Sequence, residues 1–302
     1  MQIMKPTRLN KSELGIFKST VFWLTLALSC LSARGADAAQ IVVTTTIQAA
    51  VDQANPGDTV FIGPGIYDEQ VVVRTSNLTI LGSGIDSTII RPTQVSVNST
   101  GTDIPFPVSA ILLIDGANGV RVKNFTVDGH LADDGAANLS CRDVGFYMGV
   151  YYRNSSGIVE SIRVANIRSA TVCSAGLSGS TGSGFVSNLA LNGSLFENYG
   201  SVGMRCSGAA VCSVNGNTFR GRGPVSDQYQ GGIVFRGGAG GEIFGNFITN
   251  HFYFPAVGIS EFSAGIVLFN APPNLNPHLL QENSFSGNQL NIQRSGTAQT
   301  IR

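Results

Sequence analysis

Charged side chains are scarce in this chain. Only 13% of its 302 residues are Asp, Glu, Lys or Arg, and the formal net charge is zero. The 19 basic and 19 acidic residues fall to 14 and 17 once the five basic and two acidic residues of positions 1–38 are set aside, so the remainder carries a charge near −3. This balance excludes general electrostatic attraction to nucleic acid or to acidic membrane surfaces.

Lysine is almost missing after position 38, where Lys123 is the only one and the other basic residues are arginines. Arginine makes planar, bidentate contacts with carboxylates, so an arginine-biased surface fits an acidic sugar polymer. A general compositional preference for arginine over lysine explains the same count. Both interpretations stay open at this point.

Long apolar runs are absent beyond the N-terminal segment, so no later stretch is long enough to cross a bilayer. Near the N-terminus, a basic segment precedes the apolar run Val21–Leu31, and the small residues Ala36-Asp37-Ala38 follow. This order is typical of a secretory signal peptide. We expect residues 1–38 to be the signal peptide and residues 39–302 to be one secreted or periplasmic domain without a membrane span.

Cysteine is sparse, and no C-x-x-C spacing or neighbouring histidine occurs, which disfavours a metal site. Cys30 lies in the predicted signal peptide. The other four cysteines are an even number in an exported chain, which favours disulfides with three possible connectivities. Proximity in sequence favours Cys206–Cys212, with Cys141–Cys173 as the second pair.

The most informative run of the chain is residues 46–90. Apolar residues at helical spacing predict a short amphipathic helix over Thr46–Asn55, and Thr45-x-x-Gln48 matches a capping box. Short β-rich segments follow, separated by Gly, Pro or Ser-Asn turns. The predicted strands are Thr59–Ile62, Gln70–Val73, Asn77–Leu81 and Thr88–Ile90. One helix followed by many short strands predicts a capped solenoid.

The body of the chain carries a degenerate repeat whose best copies are VNGNTF at 214–219 and IFGNFI at 243–248. Glycine supplies the positive φ of a corner between sheets. Stacked amides of Asn217, Asn246 and Asn283 are expected to form a hydrogen-bonded ladder along the solenoid axis. The unequal spacing of the copies implies loops inserted at one corner.

Four blocks of the first run are T-I-Q-x-A-V, P-G-D-T-V, G-x-Y-x-E and L-T-I-x-G. Together they resemble the N-terminal cap and first coils of the pectin lyase-like superfamily. The resemblance implies an all-β fold, a single-stranded right-handed parallel β-helix solenoid with a short N-terminal capping α-helix. This architecture supports many chemistries, so it does not name a reaction. We interpret Tyr67 and Glu69 as architectural.

Individual enzymes of the superfamily are not matched. The catalytic D-F-I-F-G block of pectin methylesterases would fall on residues 241–245, where Gly241 occupies the position of the aspartate. That activity is therefore disfavoured. The polygalacturonase motifs N-T-D, G-H-G and R-I-K and the D-P-H of alginate epimerases do not occur, and the charged pattern of calcium pectate lyases is not recognisable. Whether the chain is an enzyme stays open.

A second column of the repeat opens several coils with a small residue and an apolar strand. In this alignment Ile111, Val150, Met204, Ile233 and Ile266 share one inward position. Because side chains alternate between faces, four residues then point outward from one parallel sheet. These residues are Tyr151, Arg153, Arg205 and Arg236. We predict that they bind the carboxylates and ring faces of a uronic-acid polymer. The alternative is a solvated face whose arginine stems cover apolar surface.

Acidic residues lie at a similar distance in sequence before three of these strands. They are Asp143, Asp227 and Glu261. Stacking would bring them to one rim of the sheet, where paired carboxylates serve as general acid and base or bind Ca²⁺. The alternative is ordinary loop acids. No other cofactor or metal is implied.

Histidines carry no predicted role. Asp128-Gly129-His130, with Asp133 and Asp134 after it, is interpreted as a strand-end turn, and His251 and His278 are isolated in the sequence.

Two functions follow. The first is a monomeric exported protein that binds, and in an enzymatic version cleaves or modifies, an acidic pectin- or alginate-like polysaccharide. Cleavage would make it a polysaccharide lyase or glycoside hydrolase. The second is a non-catalytic surface or periplasmic β-helix that serves as an adhesion or accessory module.

Overall fold

The computed structural model describes residues 38–102, 106–129, 145–169, 172–185, 187–254, 263–271, 275, 279–295 and 299–301. Successive strands of the chain enter different sheets, and each strand pairs in parallel with the equivalent strand of the next coil. The chain therefore winds as a parallel β-helix, as predicted, and its coils form three sheets.

The strands follow one another along the solenoid axis in each sheet. Sheet 1 contains Gln40–Val42, Thr59–Ile62, Thr79–Gly82, Val120–Lys123, Gly157–Glu160, Ser187–Asn192, Ala210–Asn215 and Gly240–Phe244. Sheet 2 contains Gly65–Tyr67, Thr88–Ile90, Thr126–Asp128, Arg163–Ala165, Leu195–Glu197, Thr218–Val225, Phe247–Tyr253 and Ser284–Ser286. Sheet 3 contains Val71–Val73, Pro107–Asp115, Phe146–Arg153, Cys173–Thr181, Val202–Gly208, Gly231–Arg236, Ala264–Phe269 and Leu290–Ser295, with antiparallel additions at Ser99–Thr100 and Gln299–Ile301.

The core is a continuous apolar column along the axis. Inward residues of successive sheet 1 strands lie in register and are fully buried, as with Val122, Leu191 and Val214. Sheet 2 adds aromatic residues, and the rings of Phe196 and Phe219 stack with centroids 4.9 Å apart. Burial of each such side chain stabilises the fold by about 1.5–3 kcal/mol.

Helix α1, Ile47–Gln53, covers the N-terminal end of this core. Its N-cap is Thr46, whose Oγ1 accepts a hydrogen bond from Ala49 N at 3.1 Å. The predicted capping box at Thr45 is wrong by one residue. Glu69 completes the cap, because its two carboxylate oxygens accept hydrogen bonds from Ile47 N at 2.7 Å and Gln48 N at 3.0 Å. Glu69 is therefore architectural, as predicted.

The asparagine ladder is confirmed at the corner between sheets 1 and 2. Asn217 Nδ2 donates to Asn246 Oδ1 at 3.0 Å, and Asn246 Nδ2 donates to Asn283 Oδ1 at 2.9 Å. A glycine with positive φ precedes each of the first two asparagines: Gly216 before Asn217, with φ of 64°, and Gly245 before Asn246, with φ of 66°. The amides thus satisfy one another inside a corner that positive φ makes possible.

The C-terminal end of sheet 1 is covered by a short helix, α2, Leu279–Glu282. The Glu282 carbonyl accepts a hydrogen bond from Gly245 N at 2.6 Å, so the helix occupies the place of a further strand. In the ranges given above, no helix has the length and apolar character needed to span a membrane.

Sheet 3 carries a kink at one position that is glycine in five successive strands. The five residues are Gly149, Gly176, Gly203, Gly232 and Gly265. Met148 and Tyr151 belong to the outer apolar cluster, whereas Val150 belongs to the inner core, so the alternation slips by one residue at Gly149. Val150 consequently pairs with Leu112, and the predicted alignment of Ile111 with Val150 is wrong by one residue.

These five positions are glycine because a side chain there would have no room. A Cβ on Gly149, Gly176, Gly203 or Gly232 would lie 2.5–2.6 Å from the carbonyl oxygen of the next glycine in the stack. Contacts this short require the backbone to shift, so each kink depends on the residue that follows it along the axis.

Candidate functional site: the outer trough of sheet 3

The four predicted binding residues lie on one face of sheet 3, in two neighbouring columns. Tyr151, Ser178 and Arg205 occupy equivalent positions of three successive strands. Arg153, Ser180, Ser207 and Arg236 form the second column, two residues further along each strand. The predicted clustering is confirmed, and the intervening strand Cys173–Thr181 contributes serines to both columns.

The outer face is a trough. Thr100 pairs with Pro107 at the start of sheet 3. Its carbonyl nevertheless accepts hydrogen bonds from Tyr151 Oη at 3.4 Å and Arg153 Nε at 3.1 Å, which lie beyond the kink. The two halves of the sheet therefore face each other across the glycine stack, and side chains from both halves form one outer apolar cluster.

Tyr151 was predicted to be exposed, but it is buried in the trough, with 1% relative accessibility. Its hydroxyl lies 2.9 Å from Ser180 Oγ. Burial raises the pKa of Tyr151, and the Ser180 hydrogen bond and the charges of Arg205 and Arg153 offset part of that rise. The phenol therefore stays neutral and acts as a hydrogen-bonding group within the wall.

Arg205 is also buried, with 3% relative accessibility, so its predicted exposure is wrong. Its guanidinium carbon lies 5.1 Å from the ring centroid of Phe146 and 5.8 Å from that of Phe106. These are cation–π distances, and such contacts strengthen when the groups are desolvated. The arrangement holds a positive charge within an apolar cluster on the outside of the sheet.

Arg153 and Arg236 lie at the C-terminal ends of their strands and keep part of their surface in solvent. Arg153 Nη1 lies 3.0 Å from Asp115 Oδ1, and Arg74 Nε lies 3.7 Å from Asp115 Oδ2. Arg236 lies over the Phe269 ring at 5.9 Å, and Phe269 is 43% exposed. This rim combines arginines with one accessible aromatic face.

Of the three predicted acids, only Asp227 is among the described residues. Its carboxylate forms two hydrogen bonds with Arg222, at 2.8 and 2.7 Å. Burial tends to raise the pKa of Asp227, but the hydrogen bond and charge of Arg222 outweigh it and hold the pKa below its usual value. Asp143 and Glu261 lie outside the described residues, so the convergence of the three acids stays a prediction.

The predicted pair Cys206–Cys212 is a disulfide. Both cysteines are fully buried and join sheet 3 to sheet 1 inside the core. Cys173 is disulfide-bonded as well. Its predicted partner, Cys141, lies outside the described residues, so that pairing stays a prediction.

The interpretation of Gly241 gains a physical reason. Its φ is +128°, and a Cβ at this position would lie 2.0 Å from the Cys212 carbonyl oxygen. A side chain cannot occupy position 241 unless the backbone of the sheet 1 ladder shifts, which accounts for the glycine found there.

Asp128 has a structural role. Its Oδ2 accepts hydrogen bonds from Arg91 Nε at 2.8 Å and Nη2 at 2.6 Å, and its Oδ1 accepts one from Asn166 Nδ2 at 2.8 Å. His130, Asp133 and Asp134 lie outside the described residues. Within the part of the chain that the structure describes, no group of three or more His, Cys, Asp or Glu side chains is placed to hold a metal ion.

His251 is an interior residue of a sheet 2 strand, which isolation in the sequence did not reveal. Its Nδ1 lies 2.9 Å from Asn288 Oδ1, and its Nε2 is hydrogen-bonded to the Tyr199 hydroxyl. Burial lowers the pKa of His251 to about 4, and the Asn288 hydrogen bond opposes that shift only in part. The imidazole is thus neutral at physiological pH and links three coils.

No protein-family model and no curated protein sequence matches this chain. Solved structures with a similar chain path include ORF18 of Geobacillus virus E2, at 14% identity, a TM-score of 0.38, and coverage of 91% of this chain and 62% of that one. The catalytic domain of a GH87 α-1,3-glucanase in complex with tetrasaccharides matches at 13% identity, a TM-score of 0.43, and 87% and 40% coverage. An alginate lyase from Paenibacillus sp. strain FPU-7 matches at 13% identity, a TM-score of 0.37, and 85% and 98% coverage. This chain spans less than two thirds of the first two proteins.

Proposed function

We propose that this chain is an exported β-helix protein that binds an acidic, pectin- or alginate-like polysaccharide in the trough of sheet 3. The observation that carries the proposal is the placement of Tyr151, Arg153, Arg205 and Arg236 in two neighbouring columns of one sheet face. Adjacent strands lie about 4.8 Å apart, so Arg153 and Arg236, three strands apart, are separated by about 14 Å along the axis. That span suits several successive sugar units.

The rim supplies the groups that a sugar acid needs. Arg74 and Arg153 both lie near the single carboxylate of Asp115, so this corner keeps a local excess of positive charge. Guanidinium groups bind carboxylates with planar, charge-assisted hydrogen bonds. The exposed ring of Phe269 beside Arg236 offers a face for the apolar side of a sugar ring.

Catalysis by Asp143, Asp227 and Glu261 is the second part of the proposal. The Arg222 pair keeps Asp227 ionised, which suits a base or an electrostatic role and not a general acid. The same pair favours the other candidate function, a non-catalytic accessory or adhesion module, because it gives Asp227 a structural role without any substrate.

The binding test is calorimetric titration of the purified protein with hexamers of galacturonate and of mannuronate. Arg153→Gln combined with Arg236→Gln is expected to weaken binding at least about 10-fold, since charge-assisted hydrogen bonds contribute about 1.5–3 kcal/mol each. Arg121→Gln, on the outer face of sheet 1 and 48% exposed, is the matched control and is expected to bind normally. Absence of binding to both hexamers, or wild-type affinity in the double variant, would sink the proposal.

Turnover is measured separately, as new unsaturated or reducing ends on the same polymers. Turnover that disappears in Asp227→Asn while binding persists supports the enzyme. Binding without any turnover supports the accessory module.

A further inference from the structure

A groove runs along the outside of the corner between sheets 1 and 2. Its floor consists of the first turn residue of four successive coils, and all four are exposed with φ between 52° and 66°. These floor residues are Ser161, Gly193, Gly216 and Gly245. A cavity of about 430 Å³ lies over the first three of them, and Ile85, Asn124, Leu195 and Thr218 also line it. Its volume is in the range of ligand sites.

The space above this floor is open. A Cβ on Gly193 or on Gly216 would meet nothing within 4 Å. The turn itself does not demand glycine, because Asn124 has a φ of 59° at the equivalent position of an earlier coil. The two glycines therefore leave room over the floor that a side chain could fill without changing the turn.

The walls of the groove are the outward-facing strand residues on either side of the floor. Sheet 1 contributes Asn192, Asn215 and Phe244, and sheet 2 contributes Leu195, Thr218 and Phe247. All six are at least partly exposed, and Phe247 is 46% exposed. Phe244 and Phe247 flank Gly245, so this end of the groove lies between two aromatic side chains. None of the six wall residues carries a charge.

This set of groups suits an uncharged sugar chain. Amide and hydroxyl side chains donate and accept hydrogen bonds, as sugar hydroxyls require, and an exposed aromatic face packs against the apolar side of a sugar ring. Strands of successive coils lie about 4.8 Å apart, so the floor from Ser161 to Gly245 is about 14 Å long. A straight groove of this length holds several sugar units of a linear chain.

An extended peptide fits the groove less well. Peptides that bind along a sheet depend on open backbone donors and acceptors. Here the floor N–H groups are already used along the axis, because Gly193 N donates to Asn215 O at 3.2 Å and Gly216 N donates to Phe244 O at 3.2 Å. Recognition in the groove therefore falls to side chains.

We propose that this corner groove is a second carbohydrate site, which binds a linear, uncharged oligosaccharide between its amide and aromatic walls. It lies on a different part of the solenoid from the arginine-lined trough of sheet 3. It also selects a different class of sugar, so it goes beyond the proposed function and does not depend on it.

The test is calorimetric titration with four uncharged hexaoses: cellohexaose, mannohexaose, xylohexaose and maltohexaose. The wild type is expected to bind at least one of them. Gly216→Asn fills the floor with a side chain that the same turn accepts at Asn124, so it is expected to weaken that binding at least about 10-fold. Phe247→Ala removes one aromatic wall and is expected to weaken it about 5-fold.

Each variant has a matched control. Gly116 has a φ of 69° and equal free space at another corner, so Gly116→Asn imposes the same backbone demand away from the groove. Phe185 is 52% exposed, so Phe185→Ala removes a comparable ring elsewhere. Both controls are expected to bind the uncharged hexaose normally, and all four variants are expected to unfold within a few degrees of the wild type. If Gly216→Asn does not fold, Phe247→Ala tests the groove without altering the turn.

The outcomes separate this site from the trough. Binding of no uncharged hexaose, wild-type affinity in a folded groove variant, or an equal loss in the matched control overturns the groove. Binding of the acidic hexamers and its loss in the arginine double variant report on the trough alone. Either site can therefore fail while the other stands.

Discussion

The side-chain amide of Gln48 hydrogen-bonds both backbone groups of Val72. Its Oε1 accepts from Val72 N at 2.7 Å, and its Nε2 donates to Val72 O at 3.0 Å. Val72 lies in the first strand of sheet 3, where the ladder would otherwise end with open donors and acceptors. The Asn98 side chain pairs with Ala110 in the same manner: its Nδ2 donates to Ala110 O at 2.9 Å, and its Oδ1 accepts from Ala110 N at 3.0 Å. Amide side chains thus stand in for missing strand partners at this end of the solenoid.

Gln48→Ala is expected to lower the free energy of unfolding by about 2 kcal/mol, because both backbone groups of Val72 lose their partner. Urea denaturation measures this change. Gln53→Ala is the control, since Gln53 is exposed at the end of the same helix and the substitution has the same effect on helix propensity. Equal effects of the two substitutions would contradict the capping role of Gln48.

Gly203→Ala is expected to destabilise the protein by more than about 2 kcal/mol through overpacking. The new Cβ would lie 2.6 Å from the Gly232 carbonyl oxygen and 2.7 Å from Phe219 Cδ1. Gly240→Ala serves as the matched control, because a Cβ there meets nothing within 4 Å. Yield and thermal unfolding check the pair. A Gly203→Ala protein as stable as Gly240→Ala would show that the kink tolerates side chains.

Acid should weaken the fold between about pH 6.5 and pH 4 through His251. The pKa of His251 is about 4 in the folded protein, whereas an unperturbed histidine, as in the unfolded chain, has a pKa of 6.5. The unfolded chain therefore binds more protons than the folded protein between pH 6.5 and pH 4. The stability that the neutral imidazole contributes is present above pH 6.5 and falls by about 3 kcal/mol as the pH reaches 4. Denaturant unfolding measured across this range is expected to show that slope.

His251→Gln removes the titrating group and is expected to flatten the same slope, although it also costs stability at neutral pH. An unchanged pH dependence in this variant would mean that other groups cause the acid sensitivity.

Asp227→Asn is expected to lower the free energy of unfolding by about 1–2 kcal/mol, between the values for exposed and buried ion pairs. The reason is that the Arg222 side chain, only 10% exposed, loses its anion. Adding Arg222→Gln to Asp227→Asn should restore most of the loss. If the single variant is as stable as the wild type, the pair does not hold this loop, and the structural role of Asp227 is wrong.

Local sequence determined the elements that one coil can specify alone. The apolar alternation of Thr59–Ile62 and Thr88–Ile90 matches the observed strands residue for residue. The glycine–asparagine corners at Asn217 and Asn246 also follow from the side-chain chemistry of the turn. These features depend on neighbours within a few residues, so their pattern is visible in the chain.

The strand Cys173–Thr181 was not predicted, because its run of Ser, Gly and Ala carries little apolar alternation. Its conformation comes from pairing with a strand on each side. The register of Leu112 against Val150 was missed for a related reason, since the extra residue at the kink becomes visible only when strands from different coils are stacked.

The sequence by itself determined that this chain is a capped parallel β-helix and that Tyr151, Arg153, Arg205 and Arg236 belong to one outer face. Tertiary structure decided how accessible each residue is. The kink at the glycine stack folds sheet 3 into a trough, and that trough buries Tyr151 and Arg205 while Arg153 and Arg236 remain at its rim. Face is set by the alternation of a single strand, whereas burial depends on residues far apart in the chain that the solenoid brings together.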